Sequence, residues 1–278
     1  MLPSALAIFD AKKMGCNLAT EYVGEPEQKQ NSDSALLEGQ VSVAAALQSP
    51  YRDVRVVYVR ADRDDRPLRW LEHRAREAGV PVERKEAGEI DALAEGSSHG
   101  GVVALVGERR TVDLADLLPA ERPAFVVMLD GVEDPFNFGQ AVRSLYAAGV
   151  DGLVLRPRNW LSAAATVARS SAGASELIPT AIAESAEDAA HFFQSRGLVI
   201  ACAAEEKAVS IDHADLTRPL FLLVGGEKRG ITRSFLRQAD LRLAIPYGRE
   251  FRHSLGVTAA VAILGYEVMR QRAVKTQK

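Results

Sequence analysis

Read as blocks of apolar and polar positions, the chain divides into two α/β stretches joined by a polar connection. Residues 1–31 show no sustained period. They suggest only a short helix before Gly15, and Glu25-Pro26-Glu27-Gln28-Lys29-Gln30-Asn31 reads as an exposed linker. From residue 32 a small α/β pattern starts. Residues 39–47 predict a helix with Val43, Ala46 and Leu47 on one side, and the β-branched run 54–59 predicts a strand. Residues 67–78 predict a helix that opens on Pro67 and stops before Gly79. Strands are expected at 80–84 and 101–106, with a short helix at 87–95 between them. Residues 113–123, polar and proline-bearing, predict an interdomain connection.

Beyond that connection the alternation resumes more strongly. Strands are expected at 125–129, 152–155, 177–182, 198–202, 220–224 and 241–245, and helices at 138–148, 163–170, 186–196, 233–238 and 256–272. The strands are almost continuously apolar, which predicts a mostly parallel sheet covered on both faces. The expected organisation is a tail at 1–31, a small α/β domain at 32–112, a linker at 113–123 and a larger α/β domain at 124–278.

Composition narrows the class. A 278-residue chain that is 47% hydrophobic and 26% charged needs no staple, because it can bury roughly 70% of its surface. Cys16 and Cys202 are the only cysteines, which excludes a disulfide scaffold and fits a reducing cytosol. The longest nearly apolar stretch, 256–266, is too short to span a bilayer, and residues 1–10 lack the basic start of a secretory signal. The expectation is a cytoplasmic protein with neither a membrane partner nor a metal. A net charge of −3 confines any nucleic-acid contact to a local patch.

Three segments each follow a strand of the larger domain, where open α/β sheets bind ligands. The first is Asp130-Gly131-Val132-Glu133-Asp134-Pro135-Phe136-Asn137-Phe138-Gly139-Gln140-Ala141-Val142-Arg143. Asn137 is the expected helix N-cap, which puts Arg143 near the second turn, in reach of an anionic group. The second is Val224-Gly225-Gly226-Glu227-Lys228-Arg229-Gly230, a glycine turn that lets backbone approach a ligand. Its spacing is not the dinucleotide fingerprint. The third is Ile245-Pro246-Tyr247-Gly248, followed by Arg252-His253-Ser254-Leu255-Gly256-Val257-Thr258 and the last helix, with Ser254 as a helix cap or a phosphate ligand. Alone, each segment fits a capped helix or tight turn equally well.

Together, Asn137-x-Gly139-x-x-x-Arg143, Gly225-x-Glu227-x-x-Gly230 and Ile245-Pro246 with Ser254-Leu255 resemble the SpoU/TrmH class of SPOUT RNA methyltransferases over roughly residues 125–272. Upstream, Glu38-Gly39 with Val43 and Ala46-Leu47, and His99-Gly100-Gly101-Val102-Val103-Ala104, are similar to that family's RNA-binding accessory domain, which has a ribosomal-protein-like fold. The resemblance implies a SPOUT-type parallel sheet with a deep trefoil knot, and a homodimer whose sites are completed by the neighbouring subunit. It implies S-adenosylmethionine as cofactor and methyl transfer to a ribose 2′-hydroxyl of RNA, rRNA ahead of tRNA. By motif, the cofactor residues are Val224, Gly225, Gly226, Gly230, Ile245, Pro246, Tyr247, Ser254, Leu255 and Thr258, and the catalytic set is Arg143, Asn137, Glu227 and Ser254.

Two departures stand out. The family usually writes Glu-Gly-x-Gly where Glu227-Lys228-Arg229-Gly230 stands, and Ser-Leu-Asn where Ser254-Leu255-Gly256 stands. Gly256 supports a rival reading, an RNA-binding protein that keeps the fold and has lost the chemistry. His99 and His253 read as loop histidines. Two basic groups could meet RNA: Arg52, Arg55, Arg60, Arg63, Arg66 and Arg69, diluted by Asp53, Asp62, Asp64 and Asp65; and Lys228, Arg229, Arg233, Arg249 and Arg252 around the cofactor loops.

Overall fold

The computed structural model describes residues 34–96, 98–158, 161–204, 206–226 and 230–276. The expected tail, with its short helix, lies outside these residues, as do Glu227, Lys228 and Arg229.

The first sheet is built from β1 (Ser34–Glu38), β2 (Arg52–Arg60), β3 (Val82–Lys85) and β4 (Val102–Arg109), in the order β1-β4-β2-β3. β4 runs antiparallel to both β1 and β2, and β3 is parallel to β2. Gly39, at φ 85, turns the chain from β1 into α1 (Gln40–Gln48), and its N–H donates to Val102 O. α2 (Arg66–Glu77) begins where Asp65 accepts from Leu68 N and a proline occupies the first turn. α3 (Ala87–Leu93) opens on a reciprocal Glu86–Glu89 capping box.

The second sheet has seven strands: β5 (Phe125–Asp130), β6 (Gly152–Leu155), β7 (Thr180–Ile182), β8 (Val199–Ala203), β9 (Val209–Ser210), β10 (Leu220–Gly225) and β11 (Leu241–Ala244). Their order is β7-β6-β5-β10-β8-β11-β9, and every neighbouring pair is parallel. Alternate residues of one strand feed two cores. Phe125, Val127 and Leu129 pack with α4 (Pro135–Ala147), α5 (Ala164–Ser170), α6 (Ala174–Leu177) and α9 (Val257–Thr276). Val126 and Met128 pack on the other face with α7 (Ala186–Gln194) and α8 (Arg233–Gln238). Burial on both faces is why these strands are apolar throughout.

The polar connection differs from expectation. Leu117 is fully buried in the second core, Val112 bridges to Ala181, and a 3-10 turn spans Leu114–Leu117. Apolar residues at 112, 114, 117 and 118 sit among the polar ones and seal an edge of the larger sheet. The two sheets also share packing. Ala164 and Ala168 of α5 belong to the same buried cluster as Leu37, Val43 and Ala46. Arg52 donates to both oxygens of Glu176, at 2.7 and 2.9 Å, and to Gly107 O, while Arg169 pairs with Glu38 at 2.9 Å. Arg52 is therefore a buried tie between the halves rather than a phosphate contact.

Candidate active site

The numbering of the strands reverses direction between β5 and β10, the point at which open α/β sheets usually bind ligands. There the loops abut. Gly226 N donates to Asp130 O at 2.6 Å, and a methyl group at Gly226 would overlap Gly131 O. The opening lies one strand further on. The carboxyl ends of β8, β10 and β11 and the start of α9 enclose a cavity of about 520 Å³.

Backbone shapes most of this cavity. The loop after β10 folds back so that Gly230 N donates to Gly226 O at 3.1 Å, and a Cβ on Gly225 would sit 2.8 Å from Gly230 C. Only glycine fits there. The segment after β11 is pinned by Tyr247, whose hydroxyl accepts from Leu255 N at 3.1 Å. Val224, Gly225, Gly226, Gly230, Ile245, Tyr247, Ser254 and Leu255 all line the cavity; Pro246 and Thr258 stand outside its wall. Ala203 and Ala204 at the end of β8, together with Phe251 and Arg252, also line it. Their placement past a strand's carboxyl end was the available signal for the two alanines.

The helix starts differ from expectation. Asp134, not Asn137, caps α4: its side chain accepts from Asn137 N at 2.7 Å, and Pro135 takes the first helical position. A carboxylate capping a proline-led turn suits both the free N–H groups and the helix dipole. Asn137 thus lies in the first turn and Arg143 in the third, and neither lines the cavity. Arg143 is exposed and has no hydrogen-bond or ion-pair partner among the described residues. Nor does Ser254 cap α9. The carbonyl of Gly256 accepts from Ala260 N at 3.1 Å, so Gly256 is the cap, and Ser254 Oγ has no partner among the described residues.

Charge divides unevenly. Among its described residues the cavity wall holds Arg252 and no acid. Arg233, Arg249 and Arg252 are exposed beside it. The arginines of the first sheet are locally neutralised: Arg55 by Asp53, Arg60 by Asp62, Arg63 by Asp65 and Arg69 by Asp64. Arg252 has Glu250 at 3.4 Å, and no acid stands among the described residues of the wall itself.

Comparison with known proteins agrees with this geometry. Residues 124–266 match the model of the SpoU rRNA Methylase family, and residues 36–112 match that for RNA 2'-O ribose methyltransferase substrate binding. The chain belongs to the SpoU rRNA methylase family. It is 32% identical over 238 residues to the 23S rRNA (guanosine-2'-O-)-methyltransferase RlmB of Pseudomonas putida, covering 84% of this chain and 95% of that one. It is 30% identical over 243 residues to the enzyme of the same name from Bordetella pertussis, covering 87% and 99%. The fold is similar to that of an AdoMet-bound rRNA methyltransferase from Sinorhizobium meliloti, with TM-score 0.72, 23% identity, and 86% and 87% of the two chains covered. It is also similar to AviRb from Streptomyces viridochromogenes in complex with AdoMet, with TM-score 0.70, 22% identity, and coverage of 90% and 94%. In this SpoU member the loops that carry the second and third motifs are those that close the cavity, and the residue where the asparagine is expected, Gly256, caps the helix that forms its floor.

Proposed function

We propose that this chain transfers a methyl group from S-adenosylmethionine to the 2′-hydroxyl of a guanosine in 23S rRNA. The observation that carries the reading is the conjunction of near full-length likeness to guanosine-2′-O-methyltransferases with a backbone-walled cavity at the motif loops. The residues present fit the cofactor. Apolar walls at Val224, Ile245 and Leu255 suit an adenine, and backbone edges with the Tyr247 and Ser254 hydroxyls supply polar partners. When bound, the cofactor supplies an electrophilic methyl on a sulfonium.

The protein's own work is positioning and electrostatics. Holding two reactants in line contributes roughly 7–11 kcal/mol to lowering a barrier of this kind. Arg143 is a poor base, since a guanidinium holds its proton too firmly to accept another group's. It is better suited to stabilise the alkoxide that develops on the ribose, with Glu227 or a substrate phosphate taking the proton. Its exposed, unpaired position outside the cavity supports a site completed across a dimer, in which Arg143 of one subunit serves the cavity of the other. Exposed Phe136 and Tyr146 on α4, and Ile263, Tyr266 and Met269 on α9, supply an apolar face for that pairing. The threaded knot is part of the same reading: β10 lies between β5 and β8, and the chain after β11 returns past the cavity so that α9 packs on α4. Residues 32–112 serve as the RNA-holding part and 124–278 as the methyl-transfer part, in a cytoplasmic protein.

The test is transfer of labelled methyl groups to 23S rRNA from cells lacking the gene, with the modified nucleotide mapped. Arg143→Ala is expected to abolish transfer while calorimetry shows cofactor affinity nearly intact. Near-normal turnover by this variant would remove Arg143 from the reaction.

A further inference from the structure

The mouth of the cavity carries an exposed ring and an exposed cation, Phe251 and Arg252. Between β11 and α9, three rings follow one another at positions 247, 251 and 253. The Tyr247 and Phe251 centroids lie 6.0 Å apart at 58°, and those of Phe251 and His253 lie 5.4 Å apart at 67°. Tyr247 is tied at its hydroxyl to Leu255 N, so the base of this ladder is fixed. Phe251 lines the cavity yet is 54% exposed, and both ring neighbours meet it at a tilt rather than in a parallel stack. Beside it, the Arg252 side chain is 87% exposed, with one distant partner, Glu250 at 3.4 Å, which is itself 84% exposed. An ion pair so exposed leaves the arginine available. Arg249, two residues before Phe251, has no partner among the described residues.

A ribose hydroxyl can reach a donor inside such a cavity only if its nucleotide leaves the stack, and extruded bases are held by aromatic faces flanked by arginines. We infer that Phe251 is a stacking platform for an unstacked base of the RNA at the methylation site, with Arg252 holding the adjacent phosphate. This rests on the RNA methyl-transfer reading above and adds to it a residue that positions substrate rather than donor. Because stacking tolerates any base, Phe251 sets the affinity for an unpaired substrate, and pairing of the target region opposes it.

Full-length Phe251→Ala, Phe251→Tyr and Arg252→Ala separate the possibilities, using an RNA that the wild-type protein methylates. Phe251→Ala is expected to raise KM for that RNA about tenfold or more, the order expected for one lost base stack, a larger factor than any change in kcat or in the calorimetric affinity for S-adenosylmethionine. Phe251→Tyr should restore KM. Arg252→Ala should flatten the salt dependence of RNA binding by about one phosphate contact. A 2-aminopurine placed at the methylated position should be quenched on binding to wild type and to Phe251→Tyr, but less so on Phe251→Ala. The inference is overturned if Phe251→Ala leaves KM unchanged, weakens the cofactor instead, or dissociates a dimer in sedimentation. Failure of the wild type to methylate any RNA overturns the underlying reading instead.

Discussion

At the scale of single residues, Gly225 and Gly226 of the second motif are steric requirements. A methyl on Gly226 would meet Gly131 O, whereas one on Gly248 would meet nothing within 4 Å. Gly226→Ala is therefore expected to abolish cofactor binding measured by calorimetry, and Gly248→Ala to leave it within about twofold. These positions were legible because a glycine turn after a strand is local chemistry. Arg52 was not. Its neighbours in sequence are other arginines and aspartates, but its partner Glu176 is 124 residues away, and nothing local announces it. The Arg52 and Glu176 side chains are 5% and 2% exposed. Removing one partner of such a pair costs about 3–5 kcal/mol, and replacing both with apolar residues can be neutral. Arg52→Met or Glu176→Leu alone is expected to lower Tm markedly in calorimetric scans, and the double variant to recover most of it. Additive losses would mean that the pair acts through separate contacts.

Among the elements, the strands with strong apolar runs were readable and two weaker ones were not. β1 has only Ala35, Leu36 and Leu37 between polar ends and β9 has two residues, and they exist because β4 and β11 offer them edges. α4 was placed three residues late because Asn137 is as good a cap by type as Asp134; Pro135 at the first position decides between them. The closing helix was recognised, but its internal pairing could not be. In α9, Glu267 receives hydrogen bonds from Arg270 at 2.7 and 2.8 Å and from Gln271 at 2.8 Å, and these hold its carboxyl below the usual range. A depressed carboxyl adds stability above its unfolded pKa of about 4.5, and that stability is lost as pH falls through the lower folded value. Glu267→Gln should shallow the acid limb of the stability profile below about pH 4.5, read by urea melts, and leave the neutral region flatter than the acid one.

For the molecule as a whole, parallel architecture was predictable from apolar strands alternating with helices, but strand order was not, because periodicity carries no information about which strand lies beside which. The cavity followed the same division. Its motif loops were legible, and its position beside β8 rather than at the β5–β10 junction emerged only from the fold. The shared cluster of Ala164, Ala168, Leu37, Val43 and Ala46 also bears on truncation. A fragment spanning residues 124–278 would expose that cluster together with Glu176, so it is expected to aggregate or to melt far below the full chain in light-scattering and calorimetric scans. A monodisperse fragment with the full chain's Tm would show that the halves are independent.

The position of β10 also sets the order in which this protein can come into being. Phe125 pairs with Leu220, and Val199 pairs with the same residue from the other side. Until the ribosome has delivered that late strand, β5 and β8 each present an unfilled hydrogen-bonding edge, the kind of surface that recruits other chains. Contacts so distant in sequence close slowly. The edge of β5 therefore stays open from residue 130 until residue 220 has been made, and the cavity at the motif loops closes only after β11 and the start of α9 have followed.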